Sequence, residues 1–282
     1  MSSLRPPMRR TRSAAEVAIL ANQLRAHALG KKVVQAWFPQ GWAGELPPRP
    51  EALVRHSRVA GVDHCATCLT IDFDTGLSMV VQLAKGGSAR WVAGPEPTRE
   101  DEQMVVRFER DTWLLVKVEG PRATKLLPSA NLRRLPPLKG LGPDVLSAEF
   151  TLEVLRAALG KAGARMVRPL LLDQRRIAGL DEPLVDEILL RARIHPRTEA
   201  RRLSAEQQRG LFEAIREVLR QAMEQGGSAT TGFVDLHGKR GRFRSAGWDA
   251  RIRTCWRCGT PLARQLCARR PCFLCPLCQE LS

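Results

Sequence analysis

Apolar residues near the start of the chain follow a helical period. Between residues 15 and 29, four of them recur three or four positions apart: Val17, Leu20, Leu24 and Ala28. Residues at this spacing share one face of a helix. The pattern therefore predicts a helix from about Ala15 to Leu29, and Gly30 is the expected stop signal.

The period then changes to two, which is typical of strands with one buried face. Leu69, Ile71 and Phe73 alternate with polar residues, and residues 74–76 (Asp-Thr-Gly) form a predicted turn. The return strand carries alternating apolar residues from Leu77 to Leu83. Residues 108–118 predict a second hairpin, with Arg110 and Asp111 near its turn.

A helical period returns in the second half, after a Pro- and Gly-rich linker at residues 133–143. One helix is predicted around residues 150–159, and Pro183 is expected at the first position of another. Ser204 and Gln207 have the spacing of a capping box, and Gly226 with Gly227 would end the helix that follows.

Composition limits the class of protein. The chain has 282 residues, of which 44% are hydrophobic, and it lacks the long apolar run of a membrane span. This excludes a disordered chain and an integral membrane protein. Forty-five Lys and Arg against 29 Asp and Glu give a net charge of +16. Such an excess favours a polyanionic partner, most commonly nucleic acid. Membrane-surface binding is disfavoured because the charge is not concentrated on one amphipathic helix.

Six of the eight cysteines lie in the last 28 residues, and their spacing predicts a metal site. Cys255 and Cys258 form one C-x-x-C knuckle, and Cys275 with Cys278 forms a second. Four thiolates make a closed tetrahedral shell for a structural zinc ion. Cys272 and Cys275 also have C-x-x-C spacing, so the spacing alone leaves two ligand sets open.

Upstream, Cys65 and Cys68 form a weaker pair. We interpret these two residues as buried apolar side chains at the start of a strand.

Basic residues dominate the approach to the cysteines, where Asp249 is the one acid between residues 237 and 270. This stretch contains ten cations: Lys239, Arg240, Arg242, Arg244, Arg251, Arg253, Arg257, Arg264, Arg269 and Arg270. A surface of this composition is typical of phosphate binding. The first 13 residues also lack acids and predict a basic arm or an organellar targeting segment.

Several segments, in order, resemble blocks of the Fpg/Nei family, the formamidopyrimidine-DNA glycosylases and endonuclease VIII enzymes. The blocks are LGPDVLSAEF, LDQRRIAGL, DEIL, RARIHP, EQGGS and the C-x-x-C-G…C-P-x-C-Q ending, all between residues 141 and 279. The resemblance implies an α+β fold with an N-terminal helix plus β-sandwich, a helix–two-turn–helix domain and a four-cysteine zinc finger. The corresponding ranges would be residues 14–135, 141–231 and 232–282, after an arm at residues 1–13.

The resemblance also assigns roles in the C-terminal region. The family finger ends C-x-x-C-Q, which selects Cys275 and Cys278 as the second pair of zinc ligands, and its phosphate-binding arginine falls on Arg270. Including the basic approach segment, the expected nucleic-acid contacts are Arg270, Arg269, Lys239, Arg240, Arg242, Arg244 and Lys85.

The family's chemistry requires an N-terminal proline whose amine attacks the sugar C1′, followed by a glutamate that moves protons. Alignment on Glu16 and Val17 puts Arg12 and Ser13 at these two positions, inside the chain. The supporting lysine falls on Thr67. No catalytic residue is therefore predicted.

Three more family blocks also differ. Two family blocks supply side chains that wedge into the base stack. They align with residues 82–87 and, more loosely, with residues 120–123, whose sequences differ from the family's. The family's phosphate-binding Gly-Asn pair aligns with Asp181 and Glu182.

These observations predict a nucleic-acid-binding protein on an Fpg/Nei scaffold that lacks glycosylase/lyase activity. DNA is the favoured partner and RNA is a possible one, inside the cell but in no resolved compartment. One alternative is an active DNA glycosylase/AP lyase that uses another amine, such as Lys85 or a processed N-terminus. A second alternative is a structural RNA-binding component of a large assembly such as an organellar ribosome.

Overall fold

A computed structural model describes residues 12–38, 49–84, 86–97, 103–118, 123–135 and 138–281. The first helix, α1, spans Ala14–Ala28. Ser13 caps it by accepting a hydrogen bond from the Glu16 amide, and Gly30 follows with a φ of 76°. The predicted helix is thus present, shifted by one residue at each end. Ser13 and Arg12 had been assigned to the N-terminal arm, but both are 3% exposed and belong to the folded part.

Two four-stranded antiparallel sheets follow α1 and form the predicted β-sandwich. One contains β1 (Val33–Trp37), β5 (Ser88–Ala93), β6 (Gln103–Phe108) and β7 (Thr112–Lys117), in the order β1-β6-β7-β5. The other contains β2 (Val59–Cys65), β3 (Cys68–Phe73), β4 (Leu77–Gln82) and β8 (Thr124–Pro128), in that order. A short helix, α2, spans Pro50–Val54 between β1 and β2.

The sandwich core explains the alternation seen in the sequence. Leu69 and Ile71 on β3, together with Phe108 on β6, are almost fully buried against Leu20 and Leu24 of α1. The first predicted hairpin is confirmed as β3–β4. The second is present as β6–β7, but its first strand begins at Gln103, upstream of the predicted range. Arg110 and Asp111 occupy its turn with positive φ.

Cys65 and Cys68 differ from the prediction. They face each other across a two-residue turn, Cys65 ending β2 and Cys68 beginning β3, rather than lying within one strand. Cys68 is buried and Cys65 is half-buried. Burial raises the pKa of the Cys68 thiol to about 12.

The helical region begins after a 3-10 helix at Ser129–Arg134, which replaces the start of the predicted linker. It contains α3 (Leu152–Gly160), α4 (Val167–Leu171), α5 (Glu182–Ala192) and α6 (Ala205–Glu224). The Ser204–Gln207 capping box is formed. Asp181 caps α5, so Pro183 is the second rather than the first helical residue. Within the described ranges, no helix is long and apolar enough to cross a membrane.

The two halves share helix α1 and the segment after α6. Ala14 and Ala15 pack in the helical core, whereas Leu20 and Leu24 pack in the sandwich. Phe233 and Leu236, expected in the finger region, also lie in the sandwich core, and the Trp91 amide donates to the Leu236 carbonyl. The C-terminal end is a two-stranded hairpin of β9 (Ala263–Cys267) and β10 (Arg270–Leu274).

Candidate zinc centre and nucleic-acid interface

Four thiols converge beside the β9–β10 hairpin: Cys255, Cys258, Cys275 and Cys278. Their sulfur atoms all lie within 4.8 Å of one another. The Sγ atoms of Cys258 and Cys275 are 3.5 Å apart, and those of Cys255 and Cys278 are 4.0 Å apart. Sulfurs about 2.3 Å from a tetrahedral zinc ion would be separated by about 3.8 Å. The four thiols therefore have the spacing that zinc requires.

The donor set fits a structural zinc ion. All four ligand atoms are thiol sulfurs, which leaves no position for water or substrate. The Thr260 hydroxyl lies 3.2 Å from the Cys258 sulfur and lowers the pKa of Cys258 to about 6. A low pKa favours the thiolate, which is the form that binds metal.

Cys267 and Cys272 are placed away from this cluster. Both are 1% exposed and pack with Leu274 on the inner face of the hairpin. Burial raises the pKa of Cys272 to about 11, so its thiol remains protonated at neutral pH. The competing ligand set with Cys272 is therefore disfavoured by position, because Cys272 is not among the four thiols that converge.

A buried polar network fixes the finger to the helical region. Asp186 on α5 accepts hydrogen bonds from Arg168 Nε at 2.6 Å, Trp248 Nε1 at 2.8 Å and the Phe273 amide at 3.0 Å. Gln279 accepts from the Cys275 amide and donates to the Ile194 carbonyl. Because these groups come from both parts, the finger is held in one orientation relative to α5.

The segment that precedes the knuckles exposes a row of arginines. Gly241, Phe243 and Ser245 are buried, and the residues between them point outward. Arg240, Arg242 and Arg244 consequently lie on one exposed face, because side chains alternate along extended backbone. Arg244 donates to Asp249 at 3.0 Å. Arg240, Arg242 and the exposed Lys239 make no ion pair within the ranges that the structure describes.

The tip of the finger hairpin carries Arg269 and Arg270. Ala268 and Arg269 form the turn with φ values of 50° and 64°, and Arg269 is exposed. The Arg270 side chain is 46% exposed, and its Nη1 lies 3.6 Å from Glu182 Oε1. The predicted phosphate-binding arginine is thus already paired with a carboxylate. Glu182 belongs to the Asp181-Glu182 pair that stands in place of the phosphate-binding Gly-Asn.

Arg12, which the sequence alignment predicts at the position of the family nucleophile, has a buried guanidinium. Arg12 Nη2 and Nε donate to the Gly87 carbonyl at 2.7 and 3.1 Å, and Nη1 lies 3.6 Å from Glu16 Oε2. The guanidinium carbon is also 5.2 Å from the centre of the Phe233 ring. The Arg12 backbone nitrogen donates to the Leu83 carbonyl at 3.1 Å.

The structure describes the residue at the expected position of the supporting lysine, but not Lys85 or most of the second wedge block. Thr67, at the place of the supporting lysine, is 4% exposed in the β2–β3 turn. Lys85 and residues 119–122, which include most of the loosely aligned wedge block, lie outside the described residues.

Sequence reasoning missed the Arg270–Glu182 pair because the two residues are distant in the sequence and have no local pattern in common. It also missed the contacts of Arg12. The one available signal was the loss of the proline and glutamate beside an intact Glu16-Val17.

Comparisons with known proteins agree with this arrangement. The model of the formamidopyrimidine-DNA glycosylase H2TH domain matches residues 141–234. The formamidopyrimidine-DNA glycosylase of Chloroflexus aggregans is 32% identical over 275 residues, covering 94% of this chain and 98% of the relative. That of Herpetosiphon aurantiacus is 30% identical over 253 residues, with 88% of each covered.

Solved structures show the same fold. The MutM (Fpg) protein of Thermus thermophilus aligns with a TM-score of 0.77 at 29% identity, over 96% of this chain and 99% of that one. The Lactococcus lactis Fpg (MutM), crystallised with DNA that contains N7-benzyl-Fapy-dG, aligns with a TM-score of 0.81 at 22% identity, over 95% and 99%. The chain therefore belongs to the formamidopyrimidine-DNA glycosylase family.

Proposed function

We propose that this protein binds DNA through the family scaffold and does not carry out the family's base excision and strand cleavage. The finger and the helical region supply the binding surface. The start of α1 supplies no nucleophile. Zinc has a structural part in this function, because it holds the knuckles that position the basic hairpin.

The observation that carries this proposal is the environment of Arg12. A Schiff base needs an unprotonated amine that condenses with the sugar aldehyde. At the aligned position the backbone nitrogen is an amide bonded to the Leu83 carbonyl, and the guanidinium keeps its proton. The side chain is also 3% exposed and engaged with Gly87 and Glu16. It cannot attack a sugar, and moving it aside would leave the buried Glu16 carboxylate without a cation, with the Thr231 hydroxyl as its remaining hydrogen-bond donor.

The neighbouring position supports the same conclusion. Ser13 accepts the Glu16 amide as the cap of α1 and has no carboxylate with which to move protons. Thr67 offers a short neutral side chain where the family has a lysine, and Glu182 places a negative charge where a phosphate would bind. Ser13, Thr67 and Glu182 are thus all packed or paired within the fold. None of them supplies the amine or the proton-transferring carboxylate that the reaction needs.

Binding is supported by the exposed cations and by the relatives. Arg240, Arg242, Arg269 and Lys239 lie exposed on the finger side of the molecule. The Lactococcus lactis protein of the same fold was crystallised with DNA that contains N7-benzyl-Fapy-dG. Duplex DNA is therefore the partner we propose, contacted chiefly through its phosphates.

A titration of labelled duplex DNA by fluorescence anisotropy tests the binding part of the proposal. Affinity should fall steeply with salt, and Arg240→Ala/Arg242→Ala should reduce the log–log slope by about 1.8, since each phosphate contact contributes about 0.9. Arg201→Ala/Arg202→Ala removes the same charge from residues paired with Glu199 and should change the slope less. Absence of binding at low salt, or a slope that both double variants change equally, would contradict DNA binding by the finger.

A cleavage assay on the same duplex with one abasic site tests the catalytic part. We expect the strand to remain intact at protein excess, in conditions where the Thermus thermophilus relative serves as the positive control. Cleavage above the rate of the protein-free duplex would contradict the loss of lyase chemistry while leaving the binding result unaffected.

A further inference from the structure

The tips of both zinc knuckles carry large exposed apolar side chains. Trp256 lies between the ligands Cys255 and Cys258 and is 61% exposed, and Leu277 lies between Cys275 and Cys278 and is 60% exposed. Soluble proteins seldom leave an indole in water without a partner, because its burial is strongly favourable. The first knuckle therefore presents an aromatic surface that no contact among the described residues explains.

This surface lies at the opposite end of α5 from the Arg270–Glu182 pair. Glu182 is the first residue of α5, whereas Arg191, in its last turn, lines a cavity of about 310 Å³ together with Trp256. Nine helical residues separate the two ends by about 14 Å. A ligand bound at Trp256 would therefore make contacts that are separate from those of the hairpin tip.

The cavity is bordered by two planar groups. Arg191 Nε donates to Glu187 Oε1 at 2.8 Å, which fixes the guanidinium in place beside the indole. An indole and a guanidinium are the two side-chain types on which unpaired nucleobases stack. The cavity walls thus match a flat aromatic ligand.

The charge around Trp256 indicates whether this exposed indole binds a protein or a nucleic acid. Residues 250–278 contain six arginines and no acidic residue, and the Glu187 carboxylate next to the cavity is buried and paired with Arg191. A protein-docking patch normally has both charges at its rim, whereas single-stranded nucleic acid combines bases that stack with phosphates that need cations. Arg253 and Arg257 flank Trp256 within three residues and supply these cations.

We propose that Trp256 and Arg191 form a second nucleic-acid site that stacks an unpaired nucleobase of single-stranded DNA or RNA, with Arg253 and Arg257 bound to the adjacent phosphates. The site deepens the proposed DNA binding, because it adds unpaired strands to the duplex contacted by the finger face. It uses residues that the duplex contacts do not use.

Anisotropy titrations of the zinc-loaded full chain with labelled dT12, rU12 and a 12-base-pair duplex test this site. Trp256→Ala should weaken dT12 binding by about 5- to 10-fold, in keeping with the loss of one stacked base. Duplex affinity should not change. Trp256→Phe keeps an aromatic ring and should restore most of the dT12 affinity. Equal losses for dT12 and rU12 would assign recognition to the base and phosphate rather than the sugar.

Leu277→Ala is the matched control, because it removes an equally exposed side chain from the other knuckle without removing a ring. It should leave dT12 affinity unchanged, and zinc content should equal that of the wild type in all three variants. The proposal is overturned if Trp256→Ala leaves dT12 binding intact or weakens dT12 and duplex equally. A wild-type protein that binds duplex but not dT12 would also overturn the proposed single-strand site. The exposed Trp256 would then be assigned to protein docking. Failure to bind either would instead reject the proposed DNA binding.

Discussion

The zinc knuckles and the start of α1 both correspond to functional blocks of the family, and they differ in what has been retained. At the knuckles, all four thiols are present and their sulfurs lie within 4.8 Å. At the start of α1, the alignment on Glu16 and Val17 predicts Arg12 and Ser13 at the positions of the amine and the carboxylate, and both are buried in hydrogen-bonded positions. Both regions are folded, and in our proposal one of them has lost its reacting groups.

The difference follows from what each residue does for folding. A structural zinc ligand supplies folding free energy, so its loss unfolds the finger. A catalytic residue contributes little to stability, and active sites are often strained, so its replacement can even stabilise the protein. Arg12 illustrates this, because its guanidinium joins α1 to the Gly87 carbonyl and the Phe233 ring.

The largest effect is expected at the knuckles. Cys278→Ser should release the zinc and unfold the finger, because binding of a structural zinc is worth about 10–16 kcal/mol in small zinc domains. Metal content after gel filtration, together with proteolysis of the C-terminal region, measures both outcomes. Cys272→Ser is the control and should retain the metal. The reverse pattern, with zinc kept in Cys278→Ser and lost in Cys272→Ser, would show that the ligand set is wrong.

Arg12→Ala should have the next largest effect. It leaves the Glu16 carboxylate, which is 1% exposed, without its cation, and breaking a buried pair in this way costs about 3–5 kcal/mol. Urea unfolding gives the free energy directly. The double variant Arg12→Met/Glu16→Gln removes both charges and should recover most of the loss. An Arg12→Ala variant as stable as the wild type would contradict a structural role for this arginine.

The Arg270–Glu182 pair predicts a smaller effect with the opposite sign. Glu182→Gln should free Arg270 for phosphate and raise duplex affinity several-fold at low salt, with the log–log salt slope steeper by about 0.9. Glu213→Gln makes the same change in net charge at an exposed site on α6 and should alter affinity much less. An equal gain in both variants would show that overall charge, rather than this pair, limits binding.

Arg270→Ala should weaken binding to all sequences alike.

Much of the fold was predictable because its signals are local. The helical period of α1, the alternation of β3 and β4 and the Ser204–Gln207 capping box each involve residues close in sequence. The edge strands of both sheets, β1, β2, β5 and β8, were not predicted, since partial burial weakens their alternation. The C-x-x-C spacing predicted zinc for the same local reason.

The contacts of the candidate sites were less predictable because they join distant segments. Arg12 with Gly87, Arg270 with Glu182 and Trp256 with Arg191 each connect residues that only the fold brings together. The family resemblance predicted which functional residues are replaced. It did not show that their replacements are buried or paired.

Borohydride trapping on duplex DNA with an abasic site shows whether the chain carries an amine that condenses with the sugar. An amine that condenses with the sugar aldehyde loses water and forms an imine, which borohydride reduces to a stable covalent adduct. With Arg12 buried and its backbone nitrogen an amide, the chain should form no adduct under conditions that trap a formamidopyrimidine-DNA glycosylase with an N-terminal proline. A covalent adduct would contradict the account. Its disappearance in Lys85→Ala would then identify Lys85 as the amine, and its persistence would point to an N-terminus exposed by proteolysis.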